Sequence, residues 1–238
     1  VERARRALLE ADAIVELARQ DRDPLAGPLR LALIPTVGPY LLPHVVRRLK
    51  RDLPRLKLML YEYQTAPLLE KLRAGDIDVG ILALPADTEG LETRALYEEP
   101  FVLAAPAGHP LAQKAQVKTD DLQGATLLLL EDGHCLRDQA LDVCSRIDVH
   151  EKQDFRATSL ETLRQMVASG AGVTLLPELA TLGPYANARG MVTRHFAKPA
   201  PSRQIGAAWR KTHARQPAIA AVIEAIGEHA LQPVRARA

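Results

Sequence analysis

Two cysteines, Cys135 and Cys144, lie nine residues apart, and the 238-residue chain has no others. The residues between them include good helix formers and neither Gly nor Pro, so we predict that this segment is helical. A helix over that separation places the two Cα atoms roughly 13 Å apart, at about 1.5 Å per residue. A disulfide requires Cα atoms about 4.4–6.8 Å apart. A bond between these cysteines would therefore require the helix to unwind, which is the behaviour of a switch and not of a structural crosslink.

The surroundings of Cys135 favour a reactive thiolate. An Asp-Gly pair at 132–133 interrupts the chain after a predicted strand, so Cys135 falls in the first turn of the next helix. Free backbone N–H groups and the helix dipole stabilise an anion at that position. His134 and Arg137 are expected to add positive charge and to lower the pKa of the Cys135 thiol. Asp138 opposes this effect if it is close, or it orients a water or a donor.

Three uses of the cysteine pair are open at this point. A thiolate that attacks peroxide becomes a sulfenic acid, which condenses with a second thiol, and Cys144 is the one candidate for that thiol. Alternatively, the two cysteines are unrelated and one is buried as a small hydrophobic residue. Metal binding is the third use, although the nine-residue spacing fits no common zinc pattern and no Cys-x-x-Cys is present.

The composition limits the possible classes of protein. With 47% hydrophobic and 25% charged residues, the chain is predicted to be globular, as one large or two small domains. A net charge of +2 predicts neither a large nucleic-acid footprint nor a membrane surface. No apolar run reaches the roughly 20 residues of a membrane span. No secretory signal is visible, so a reducing cytoplasm is expected. The sequence contains no nucleotide-binding loop, and the histidines do not cluster, so neither a cofactor nor a metal is predicted.

Strands and helices alternate along the chain, which predicts parallel sheets covered by helices. In the first half we expect strands at 29–34, 57–61 and 79–84, helices at 39–49 and 66–74, and two further strands at 93–96 and 101–105. In the second half we expect strands at 126–130, 155–157, 173–176 and 205–209, and helices from His134, at 159–169 and at 217–229. The helix at 159–169 is expected to begin with a capping box at Thr158–Glu161 and to end at Gly170. Two similar halves indicate two lobes with a cleft between them, where ligands collect at the carboxyl ends of strands.

Two threonines occupy matching positions between a strand and the next helix. Thr36 follows the first predicted strand, and Thr65 follows the second, as an expected N-cap before Pro67. The two hydroxyls are positioned to face one cleft. The alternative is that each is a plain helix cap.

The whole chain resembles the regulatory part of LysR-type transcriptional regulators. The segments that carry this family resemblance are 27–36, 100–110 and 167–177. A more specific resemblance, to the hydrogen-peroxide sensors of the family, is carried by segments 34–43, 130–144 and 155–163. In one departure, Asp154 stands where many of these relatives have a histidine.

The resemblance assigns roles to individual residues. It implies that Cys135 reacts with peroxide and that Cys144 resolves the product as a reversible disulfide. The positions that bind peroxide or activate the sulfur in the family correspond here to Thr36, Thr65, His134, Asp138 and Arg203. The loop before Arg203 differs in length from that of the relatives.

The resemblance also implies a domain organisation. It predicts an α/β fold of two Rossmann-like lobes, similar to type II periplasmic-binding proteins. Lobe I takes residues 27–98 plus 201–238, and lobe II takes residues 99–200 with the cysteines. Residues 1–20 carry a heptad-like apolar pattern. They are either an ordinary amphipathic helix or the end of a linker helix for dimerisation, and the family resemblance favours the linker helix, preceded by a winged helix-turn-helix domain.

The implied function is a cytoplasmic peroxide-sensing activator of transcription that is not an enzyme. Its expected partners are hydrogen peroxide, promoter DNA through the N-terminal domain, a second or further copies in a homodimer or homotetramer, RNA polymerase, and a thiol reductant such as a glutaredoxin or thioredoxin system. Two alternatives come from other classes. A LysR-type regulator that binds a small organic effector in the cleft would not need the cysteines, and a thiol peroxidase would use the same chemistry with turnover.

Overall fold

The computed structural model describes residue 11 and residues 23–145, 147–182 and 189–229. The helix predicted at residues 1–20 lies outside this range except for residue 11. The chain forms two compact units. The first unit contains the residues up to Tyr97 together with a later segment that begins at Ile205. The second unit contains Glu98–Gln204. Within the described part, no helix is both long enough and apolar enough to cross a membrane.

Nine strands and five α-helices make up the described secondary structure. The strands are β1 (Gly27–Leu33), β2 (Leu56–Glu62), β3 (Val79–Leu84), β4 (Leu91–Pro106), β5 (Thr126–Leu130), β6 (His150–Ala157), β7 (Thr174–Pro177), β8 (Met191–His195) and β9 (Ser202–Arg210). The helices are α1 (Gly38–Asp52), α2 (Thr65–Ala74), α3 (Cys135–Val143), α4 (Leu160–Ala168) and α5 (Gln216–His229). Short 3-10 helices occur at Pro110–Gln113, Thr119–Leu122 and Glu178–Thr181.

The first unit contains the predicted alternation of strands and helices. β1 lies between β2 and β3 and is parallel to both, and the strand order continues through β9 to β4. The run Val79–Leu84 is almost entirely buried, as expected for a strand covered on both faces. The prediction of an α/β fold with a parallel sheet is therefore confirmed.

The second unit holds both cysteines. β4 pairs with β7 and with β8 in antiparallel fashion, and β5 pairs with β6 in parallel. α3 follows β5, and α4 follows β6, so both helices start after strands of this two-stranded sheet. The β5–β6 register shifts between Leu127↔Glu151 and Leu129↔Arg156, so β6 has an irregularity between those residues.

The structure corrects three local predictions. The strands predicted at 93–96 and 101–105 are one continuous strand, β4. β8 was not predicted. The capping box at Thr158–Glu161 is wrong by one residue, because Ser159 is the N-cap of α4 and its side chain accepts from the N–H of Thr162. The predicted stop is confirmed, since Gly170 follows the C-cap with a φ of 91°.

Candidate functional site

The two cysteines mark the two ends of helix α3. Cys135 is its first residue, and Cys144 is its C-cap, whose N–H donates to the carbonyl of Ala140 over 3.2 Å. Both thiols are free. The predicted helix between them is confirmed, and at about 1.5 Å per residue it holds their Cα atoms roughly 13 Å apart. The described conformation is therefore that of a dithiol, and a bond between the two sulfurs needs a different backbone.

The environments of the two thiols differ. Cys135 is half-buried at the positive end of the helix dipole. Cys144 is 2% exposed, and burial raises the pKa of its thiol. A thiol must be both accessible and deprotonated to act as a nucleophile. While α3 is intact, Cys144 is shielded and its thiol is held protonated, whereas Cys135 is partly accessible to solvent.

Alkylation should therefore distinguish the two cysteines. We expect iodoacetamide near neutral pH to modify Cys135 at least about tenfold faster than Cys144, because Cys144 is protonated and covered. A time course of peptide mass spectrometry on the reduced chain measures both rates. In denaturing urea the two rates should converge. Faster labelling of Cys144 in the folded chain would contradict this assignment.

His134, the N-cap residue of α3, does not supply the predicted positive charge. Its side chain is buried, and burial lowers the pKa of the ring, although Glu131 and the Thr158 backbone act in the opposite direction. The ring is therefore neutral at neutral pH. Its Nε2 atom is buried without a hydrogen-bond partner and lies 3.9 Å from a carboxylate oxygen of Glu131. The expectation that His134 acts as a cation beside Cys135 is wrong, because it neglected desolvation.

The charge of Arg137 is also neutralised by neighbours. Its Nε lies 2.9 Å from Asp132 Oδ1 and its Nη1 lies 2.9 Å from Glu151 Oε1. These carboxylates raise the pKa of the guanidinium, so Arg137 stays charged. Asp138 is exposed in the first turn of α3. Of the predicted sources of positive potential at Cys135, the helix N-terminus remains, although the acidic Asp138 lies in the same first turn.

Thr36 and Thr65 lie in the first unit, at corresponding positions. Thr36 lies three residues after Leu33, and Thr65 lies three residues after Glu62. Leu33 and Glu62 are paired at the carboxyl ends of the parallel strands β1 and β2. Neither is a helix cap, because Val37 is the N-cap of α1 and Gln64 is the N-cap of α2. The prediction that Thr65 is an N-cap is therefore wrong, since it is the first helical residue. Its hydroxyl oxygen is buried without a hydrogen-bond partner, and the Thr36 side chain is also buried.

Arg203 lies on β9 in the second unit and forms a buried ion pair that the sequence did not signal. Its Nη2 lies 2.7 Å from Glu99 Oε2, and both side chains are 1% exposed. Its Nε donates to the same oxygen over 2.9 Å, and the other oxygen of Glu99 accepts from the N–H of Leu179. Arg203 is therefore held in place by a carboxylate 104 residues earlier in the chain.

Comparisons with known proteins agree on one family. Residues 22–231 match the model of the LysR substrate binding domain. The DNA-binding transcriptional dual regulator OxyR of Escherichia coli (strain K12) is 47% identical over 210 residues, which cover 88% of this chain and 68% of that protein. A crystal structure of the reduced form of OxyR is 43% identical with a TM-score of 0.79, over 88% of this chain and 98% of the other. A crystal structure of the oxidized form of OxyR is 45% identical with a TM-score of 0.79, over 87% of this chain and 97% of the other.

The fold and the sequence lead to the same classification. The two α/β units are those of the two-lobed fold that resembles type II periplasmic-binding proteins. The family match extends across both units, and the E. coli relative is 47% identical over 88% of the chain. This chain belongs to the LysR substrate-binding domain family.

Proposed function

We propose that this chain is the regulatory domain of a hydrogen-peroxide-sensing transcriptional regulator, switched by a reversible disulfide between Cys135 and Cys144. One observation carries the proposal: an accessible thiol at the N-terminus of α3 and a buried thiol at its C-cap, in a chain that also contains no other cysteine. The comparisons support it, because relatives are called hydrogen peroxide-inducible genes activators and OxyR structures exist in reduced and oxidised forms.

The proposed reaction balances with peroxide as the oxidant. The Cys135 thiolate attacks one oxygen of hydrogen peroxide, the O–O bond breaks, and the leaving hydroxide takes up a proton as water. The Cys135 sulfenic acid is then attacked by the sulfur of Cys144, which loses its proton, and a second water leaves as the S–S bond forms. Two thiols thus supply the two electrons that reduce peroxide to two waters. Unwinding of α3 both brings Cys144 to Cys135 and removes the burial that keeps it protonated.

We assign Thr36, Thr65, His134, Asp138 and Arg203 to peroxide binding or sulfur activation. The buried, unpartnered hydroxyl of Thr65 and the buried, unpartnered Nε2 of His134 support this assignment, because such groups seldom stay unsatisfied without a role. A neutral His134 can accept or donate a hydrogen bond but does not act as a fixed cation. Arg203 shares its charge with Glu99, so its proposed contribution is as a hydrogen-bond donor held in position.

Replacing Thr36 or Thr65 with valine is expected to slow oxidation of Cys135 without unfolding the chain. Valine is nearly isosteric but lacks the hydroxyl that holds peroxide or its leaving oxygen. One hydrogen bond to a developing charge contributes roughly 1.5–3 kcal/mol, so the rate should fall about tenfold or more. Stopped-flow measurement of Cys135 oxidation, with circular dichroism as the folding control, checks this result. Unchanged rates in both variants would remove the threonines from the peroxide site.

Two rival functions are separable by experiment. A thiol peroxidase would consume many equivalents of peroxide in the presence of thioredoxin, its reductase and NADPH, whereas we propose a regulator that is not an enzyme and that resets slowly after each oxidation. A regulator that responds to an organic effector would keep its activity when both cysteines are replaced by serine. Promoter activation by peroxide that is lost in that double variant is the result we expect.

We also propose the organisation of the complete regulator. Lobe I comprises residues 27–98 plus 201–238, and lobe II comprises residues 99–200. Residues 1–20 belong to a linker helix, and promoter DNA is bound by a winged helix-turn-helix domain outside these 238 residues. The regulator acts in the cytoplasm as a homodimer or homotetramer with RNA polymerase, and a glutaredoxin or thioredoxin system resets it.

A further inference from the structure

Four charged side chains in the second unit form one connected ion cluster. Arg137 contacts Asp132 and Glu151, each over 2.9 Å. Arg156 contacts the same two acids, Asp132 over 2.6 Å and Glu151 over 3.7 Å. Each acid thus lies between both arginines, and the net charge of the four is zero. We refer to Asp132, Arg137, Glu151 and Arg156 as the ion cluster.

The ion cluster connects the turn before α3, the first turn of α3 and strand β6. Asp132 lies in the turn between β5 and α3, and Arg137 is the third residue of α3. Glu151 and Arg156 lie on β6, on the two sides of its irregularity, where they pair with Leu127 and Leu129 of β5. The first turn of α3 is thereby attached through side chains to the sheet on which the helix begins.

The disulfide and the ion cluster require different conformations of α3. The helix keeps the cysteine Cα atoms roughly 13 Å apart, and bond formation needs them about 4.4–6.8 Å apart. Arg137 is only two residues from Cys135, so unwinding the first turns of α3 moves its guanidinium away from Glu151. Glu151, whose side chain is 23% exposed, would keep only the longer contact to Arg156. Loss of a partner from a partly buried carboxylate is unfavourable.

We infer that the ion cluster is a latch that stabilises the helical, dithiol form of α3 and so sets the reduction potential of the Cys135–Cys144 pair. The inference rests on the proposed function. On this inference, Glu151 and Arg156 position Arg137 and α3, and neither residue contacts peroxide. Their effect therefore falls on disulfide formation and not on the first attack at Cys135.

The test compares Glu151→Gln and Arg156→Gln with Asp121→Asn. The Asp121 carboxylate pairs with Lys114 over 2.6 Å in the same unit, and neither residue belongs to the ion cluster, so its variant loses an ion pair without removing a cluster residue. Each chain is equilibrated in glutathione redox buffers, and the disulfide fraction is measured by mass spectrometry. Glu151→Gln should shift the equilibrium about five- to tenfold towards the disulfide, because it removes the carboxylate that Arg137 leaves when α3 unwinds. A tenfold shift towards the disulfide corresponds to a reduction potential about 30 mV more negative. Arg156→Gln should shift it towards the dithiol, because Glu151 then has no arginine partner in the disulfide form. The control should stay within about twofold.

Three further measurements separate a latch from a general structural effect. In a Cys144→Ser background, the rate of peroxide attack at Cys135 should be unchanged by Glu151→Gln, whereas a tenfold change would overturn the inference. Salt screens partly exposed charges, so high ionic strength should move the wild-type potential towards that of Glu151→Gln and move that variant less. Glu151→Asp, which keeps the carboxylate, should restore part of the wild-type potential.

The outcomes distinguish the latch from the proposed function. A wild-type chain that forms no Cys135–Cys144 disulfide with peroxide removes both. A wild-type disulfide with unchanged potentials in both cluster variants overturns the latch alone. Urea midpoints confirm that the compared chains are folded, and the 41% exposure of the Arg156 side chain makes Arg156→Gln the variant best able to fold if Glu151→Gln does not.

Discussion

Replacing Cys144 with serine is expected to leave the oxidation of Cys135 intact and to abolish the disulfide completely. The first attack needs only the accessible thiol at the start of α3, whereas the second step needs a thiol that this variant lacks. Sulfenic acid and its over-oxidised forms should therefore accumulate at Cys135. Trapping with dimedone after one equivalent of peroxide, followed by peptide mass spectrometry, measures the fraction of chains in each state.

The matched variant, Cys135→Ser, should show the opposite behaviour. Cys144 is buried and its pKa is raised by burial, so it should remain a free thiol under the same conditions. If Cys135 stays unmodified in the Cys144→Ser variant while the folded wild type reacts, the assigned order of the two thiols is wrong.

Disulfide formation is expected to raise amide hydrogen exchange across residues 134–145 by roughly a hundredfold or more, the change that follows from a loss of about 3 kcal/mol of local stability. The reason is geometric, since an intact α3 and a bonded pair cannot coexist. The strands β1 and β3 lie in the first unit and should keep their protection. Exchange measured by mass spectrometry on the dithiol and disulfide forms compares the two regions directly.

The control for this experiment is chemical reversal. Dithiothreitol should restore the original exchange pattern, and the chain that lacks both cysteines should show no response to peroxide. Protection of α3 that persists in the disulfide form would show that the helix does not need to unwind.

Much of the strand and helix pattern of both units was predictable because its signals are local. Continuous apolar runs mark strands that are buried on both faces, and the predicted bounds of Val79–Leu84 and Thr126–Leu130 match the observed strands. Helix α3 was likewise predictable from residues with no breaker among them. The same local reasoning identified the two cysteines as the ends of one helix.

The predictions that failed depended on distant partners. A Glu-Glu-Pro sequence at 98–100 indicates a break, but Glu99 is buried against Arg203 and Leu179, and β4 continues through it. β8 carries the polar run Thr-Arg-His and forms a strand through its pairing with β4. The sequence did not reveal that the charge of Arg137 is neutralised, because its partner Glu151 lies 14 positions later in the chain, on another element.

A count of free thiols before and after one equivalent of hydrogen peroxide tests the central claim most directly. The reduced chain should titrate two thiols under denaturing conditions, and the oxidised chain should titrate none, with a single intramolecular Cys135–Cys144 peptide pair in mass spectrometry. Dithiothreitol should restore both thiols. Two thiols that persist in the oxidised sample, or a disulfide that forms only between chains, would contradict the switch.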